Sequence, residues 1–142
     1  MPTKIGLQLM LVDPDDDLRL LLKTLLQMTG CRVRTAKNWG EAIALIDANP
    51  PDLIFTELFL GGATGLDFGS RIRSMPCAKD TFLVALTGLY YQGIARQAWA
   101  AGFDRFLLKP VQIDQILDVV RGVAKARGYC LNELDSNLIA AA

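Results

Sequence analysis

Asp13, Glu57, Thr87 and Lys109 each lie at or near the end of an apolar run: residues 9–12, 53–55, 82–86 and 106–108. Two carboxylates, a hydroxyl and an amine at the C-terminal ends of buried parallel strands would meet in one crevice, where open α/β sheets place their chemistry. That chemistry is narrowed by composition, because the 142 residues include no histidine. Ser-His-Asp and Cys-His catalysis and every His-ligated metal site are thereby excluded. The chain also cannot carry a phosphohistidine. Gly61, Gly62 and Gly65 follow Glu57 without a GxxxxGK[ST] pattern, so they read as turn residues rather than a phosphate loop.

The elements that must position these groups alternate along the chain. Residues 5–13 read as a first strand, broken by Pro14, after which Asp15, Asp16 and Asp17 open a helix with apolar Leu18, Leu21, Leu22 and Leu25 and a stop at Gly30. The three aspartates are alternatively a metal cluster, but a helix N-terminus accounts for them without one. Cys31 to Thr35 form a second strand. Asn38 and Glu41 have capping-box spacing at the start of helix 39–48, whose apolar face is Ala42, Ile43 and Ile46. Strand 52–57 follows, then a third helix with Leu66, Phe68 and Ile72, closed by Met75-Pro76. Thr81 to Leu86 make strand four, Tyr90 to Ala101 helix four, Arg105 to Leu108 strand five, and Ile113 to about Arg127 the last helix. Five strand–helix alternations argue for a parallel sheet covered on both faces. Residues 1–127 form one domain and 128–142 a tail or linker, in which Leu131, Leu134 and Leu138 hint at a short helix.

Hydrophobic content of 51% suffices for a sizeable core, and fifteen basic residues balance fifteen acidic ones. Bulk charge therefore gives no reason to expect nucleic acid or an anionic membrane as partner. No apolar run approaches the roughly 18 residues of a membrane span, and the N-terminus lacks a signal-peptide core. Cys31, Cys77 and Cys130 read as reduced packing thiols in a cytoplasmic protein. Trp39 reads as a half-buried helix-edge residue, while Trp99 is open between burial and exposure.

Together, Leu-Val-Asp13, Pro-Asp-Leu-Ile leading to position 57, Thr87-Gly88, and Ala-Ala-Gly102 before Phe106-Leu-Leu-Lys109-Pro110 resemble the receiver domains of two-component response regulators over roughly residues 5–127. The resemblance implies a flavodoxin-like (CheY-like) (βα)5 doubly wound sheet of strand order 2-1-3-4-5. It further implies a cis Lys109-Pro110 bond and a signalling role rather than an enzymatic one. In that family an acidic pair after strand one and an aspartate after strand three hold Mg²⁺, and the latter takes a phosphoryl group from a histidine kinase. A hydroxyl and an aromatic then report the new state. Residue by residue, Asp13 matches the first acid, Thr87 the hydroxyl, Phe106 the aromatic and Lys109 the lysine.

Two positions depart from the pattern. Pro14 stands where the second acid belongs, and Glu57 stands at the phosphoacceptor position with one extra methylene, which moves the carboxylate by more than about 1 Å. Only Asp13, Glu57 and the Phe59 carbonyl remain as Mg²⁺ ligands, so weak binding at most is expected. The leading expectation is a pseudo-receiver that works by protein–protein contact with a histidine kinase, a phosphotransfer protein or an output domain. Its contact face would include Tyr91, Ala95, Trp99 and Phe106. The alternatives are a working phosphoacceptor with unusual residues, and a small-molecule binder on the same scaffold. Glu57 would mimic a phosphoaspartate only in part, having one negative charge against roughly −1.5 to −2.

Overall fold

The computed structural model describes residues 3–134. Its elements run β1 (Gln8–Val12), α1 (Asp16–Met28), β2 (Arg32–Ala36), α2 (Trp39–Ala48), β3 (Leu53–Thr56), β4 (Phe59–Leu60), β5 (Ala63–Thr64), α3 (Leu66–Ser74), β6 (Phe82–Thr87), α4 (Ile94–Ala100), β7 (Arg105–Leu108) and α5 (Ile113–Arg127). Five strands form one parallel sheet in the order β2-β1-β3-β6-β7. With the two-residue strands β4 and β5 set aside, this is the expected 2-1-3-4-5. Alternate residues of each strand feed opposite faces. Leu9 and Leu11 join the cluster under α1 and α5, while Met10 and Val12 join the one under α2, α3 and α4.

The helix starts follow from local hydrogen bonding. Asp15 accepts from the N–H groups of Asp17 and Leu18, so the aspartate run is a helix cap. Asn38 Oδ1 accepts from Glu41 N at 2.9 Å, and Glu41 Oε2 accepts from Lys37 N, one residue before the usual capping-box donor. Along α1 the buried stripe is Leu22, Leu25 and Leu26. Leu21, expected inside, lies at its edge and is 41% exposed.

Two local features differ from expectation. The glycine loop after Glu57 is a small hairpin, β4 paired antiparallel with β5, turning at Gly61 and Gly62 with φ of 56° and 83°. Two left-handed residues in succession are what a tight hairpin turn requires. The fourth helix begins at Ile94 rather than Tyr90, because Gly93 at φ 93° interrupts the helical path. Tyr91 therefore lies in the loop before α4 and shares no helical stripe with Ala95 and Trp99.

Beyond α5, Gly128 turns the chain back. Tyr129 bridges Lys4, and Cys130 N donates to Lys4 O at 2.8 Å. Leu131 and Leu134 pack against the cluster under α1 and α5 in non-helical conformation, in place of the suggested helix; Leu138 lies outside the described residues. Of the cysteines, Cys31 is buried as expected, whereas Cys77 and Cys130 are exposed rather than packed. Among the described residues, no helix is long and apolar enough to cross a membrane.

Candidate functional site

The parallel register carries the first residues after β1 and β3, the last residue of β6 and the turn after β7 to one edge of the sheet. Asp13 follows β1 and is 5% exposed; Glu57 follows β3; Thr87 ends β6 and is fully buried; Lys109 follows β7. Lys109 N donates to Thr87 O at 2.8 Å, which fixes the lysine beside the end of β6. The Lys109-Pro110 bond is cis, as the resemblance implied.

Three of these groups touch. Lys109 Nζ lies 2.7 Å from Asp13 Oδ2 and 3.1 Å from Glu57 Oε1, so one ammonium joins both carboxylates. The remaining oxygens also accept protein donors. Asp13 Oδ1 takes Asp15 N at 2.9 Å. Glu57 Oε2 takes Leu58 N at 2.6 Å and Phe59 N at 3.3 Å. The extra methylene of Glu57 thus lets its carboxylate fold back over its own following amides while still reaching Lys109. Burial by itself would lower the Lys109 pKa. The hydrogen bond and charge of Asp13, then the charge and hydrogen bond of Glu57, outweigh burial and hold the ammonium above its ordinary range.

This donor set does not suit Mg²⁺, which requires near-octahedral oxygen ligation and sheds its water reluctantly. Pro14 supplies no carboxylate, all four carboxylate oxygens already accept hydrogen bonds, and a positive charge bridges the two acids. Among the described residues, no group of three or more His, Cys, Asp or Glu side chains is placed to hold a metal ion.

Thr87 Oγ1 accepts from Leu89 N at 3.3 Å and has no hydrogen bond to Glu57. Phe106 on β7 is half-buried, its ring 6.4 Å from that of Tyr90 in edge-on contact. Phe59, in the hairpin, meets Tyr91 at 6.1 Å. Thr56, not singled out from sequence, belongs to the site. It is fully buried, accepts from Trp39 Nε1 at 3.1 Å and donates to Glu57 O at 2.9 Å. Its signal was a polar residue directly after the apolar run 53–55. Trp39, half-buried as expected, also stacks on Phe68, so α2 and α3 are tied to the strand end that carries Glu57. Arg19 Nη1 donates to Asp13 O at 2.6 Å and secures the loop after β1.

Comparison with known proteins agrees with this fold. Residues 9–121 match the response regulator receiver domain. The uncharacterized 14.6 kDa protein in the sodA1 3′ region of Leptolyngbya boryana is 30% identical over 131 residues, covering 92% of this chain and 95% of that protein. Protein PilG of Pseudomonas aeruginosa is 28% identical over 119 residues, covering 82% of this chain and 86% of that one. The crystal structure of a response regulator from Thermotoga maritima has a TM-score of 0.75 at 27% identity, covering 85% of this chain and 99% of that one.

Proposed function

The chain belongs to the response regulator receiver domain family, and we propose that it is a member that signals by protein–protein contact without phosphorylation at position 57. Receiver domains are typically non-enzymatic modules of two-component systems, where they interact with histidine kinases and output domains. The observation that carries the proposal is the Lys109 ammonium spanning Asp13 and Glu57, in a site where Pro14 replaces the second acid. A tethered amine there offsets one of the two carboxylate charges and occupies an oxygen of each acid. The test is incubation with acetyl phosphate and Mg²⁺ followed by intact mass. No gain is expected, and a gain of about 80 Da in a labile acyl linkage would establish the competing reading, a working acceptor. A cytoplasmic location belongs to the same proposal.

Mg²⁺ binding is expected to be weak. Millimolar Mg²⁺ should leave the amide resonances of Asp13, Glu57 and Phe59 nearly unchanged, and saturation in the micromolar range would contradict this.

The contact face we propose is formed by α4, the loop before it and edge strand β7. Trp99 is 71% exposed, and Tyr90, Tyr91, Ala95 and Leu108 on the same elements are exposed as well. Such side chains gain most from burial against a partner. Trp99→Ser should therefore change the urea midpoint by less than about 0.5 kcal/mol equivalent. In a Trp39→Phe background, the emission of Trp99 should resemble that of tryptophan in water. Blue-shifted emission, or a large loss of stability, would mean that Trp99 serves the fold instead.

A further inference from the structure

We infer that the groove between α2, α3 and the β4–β5 hairpin binds a free aromatic α-amino acid, its ring against Trp39, Ile43 and Phe68 and its charged end at Asp67 and Arg71. This goes beyond the proposed function and does not depend on the state of Glu57. The groove is an open cavity of about 440 Å³, within the size range of small-ligand sites. Its apolar wall is Trp39 and Ile43 of α2 with Phe68 of α3. Gly40 and Ala63 also line it and contribute almost no side chain to fill it.

The wall is held in place by the fold itself. Trp39 Nε1 donates to Thr56 Oγ1 at 3.1 Å, and the indole stacks on Phe68 with ring centroids 6.4 Å apart. Gly65 lies so close that a Cβ there would fall 2.9 Å from Trp39 Cζ2. A wall that need not be ordered on binding costs the complex little entropy. Because the indole N–H is already bonded, Trp39 offers the groove an apolar surface and leaves no donor that a ligand must satisfy.

The charged groups select the other end of the ligand. Asp67 and Arg71 are four residues apart on one face of α3, and both line the cavity. Both are exposed. Neither side chain forms an ion pair with the other or with any other described residue. A ligand with a carboxylate alone would be repelled by Asp67, and one with an amine alone by Arg71. An ammonium and a carboxylate on one carbon answer both charges, the carboxylate forming a charge-assisted pair with the guanidinium. An aromatic side chain on that carbon covers the apolar wall.

The experiment is a titration of the ¹⁵N-labelled full chain with L-phenylalanine, followed at the indole N–H of Trp39. Trp99→Phe leaves that signal as the only indole resonance, since the chain has two tryptophans. A shift that saturates below about 10 mM is expected. 3-Phenylpropionate, which lacks the ammonium, and phenethylamine, which lacks the carboxylate, should each bind at least about fivefold more weakly. Asp67→Asn should remove the preference over 3-phenylpropionate, and Arg71→Gln the preference over phenethylamine. Both substitutions are at exposed positions and should leave the fold intact. No saturating shift, equal affinity for the three ligands, or an unchanged preference in either variant overturns the proposal.

Discussion

Glu57→Asp combined with Pro14→Asp is expected to convert a chain that gains no mass from acetyl phosphate and Mg²⁺ into one that gains about 80 Da. The rest of the site is in place: Asp13 and Lys109 touch, and Thr87 lies beside Lys109 through its carbonyl. Shortening residue 57 withdraws its carboxylate from the Leu58 and Phe59 amides, which frees those donors. Restoring an acid at 14 gives a divalent ion its second anchor. Glu57→Asp alone should do less, since it corrects the position of the nucleophile but not the metal ligation. The cost to the fold is expected to be small, at most about 1 kcal/mol, because Pro14 is exposed and the Asp15 cap of α1 is untouched. A folded double variant that still takes up nothing would place the defect elsewhere in the site.

Lys109→Met should destabilise the domain by about 2–4 kcal/mol in urea unfolding. The side chains of Asp13 and Glu57 are 7% and 12% exposed, and that of Lys109 is 23% exposed. Methionine keeps most of the apolar stem but leaves two largely buried carboxylates without a counter-charge. Lys109→Met with Glu57→Gln should recover part of the loss by removing one of the two charges. The pH dependence has a definite sign. The folded-state pKa of Lys109 is raised, so its contribution is complete below the unfolded lysine value of about 10.4 and disappears as pH rises through the folded value. The gap between wild type and Lys109→Met should stay level from neutral to about pH 10 and close at higher pH. A gap that is negligible at pH 7, or that widens in alkali, would show that the bridge contributes little to the fold.

The strands were legible because each apolar run is short and ends at a polar residue or a turn signal. Both α1 and α2 begin where Asp15 and Asn38 accept N–H groups three or fewer residues ahead. Such bonds are local, so spacing alone reveals them. The start of α4 was not legible, because Tyr90 to Gln92 are compatible with a helix, whereas Gly93 adopts a left-handed conformation that composition does not dictate. The non-helical course of residues 129–134 was hidden for a different reason. Their partners, Lys4, Thr29 and Leu117, are remote in sequence or on another helix face, and two leucines in a tail suit a helix as well as an extended segment.

By itself, then, the sequence determined the sheet and its helices, the absence of histidine chemistry, and the arrival of Asp13, Glu57, Thr87 and Lys109 at one edge. These follow from periodicities of two and 3.6 residues and from where runs end. Only the tertiary structure decided how the groups use one another. Asp13 and Lys109 are 96 residues apart in the chain, and their pairing depends on strands brought side by side. Whether Glu57 reached toward a metal, toward Thr87 or back onto its own amides was a matter of rotamer, set by the donors around it. The same holds for Trp99, whose exposure depends on what the shortened α4 turns toward solvent.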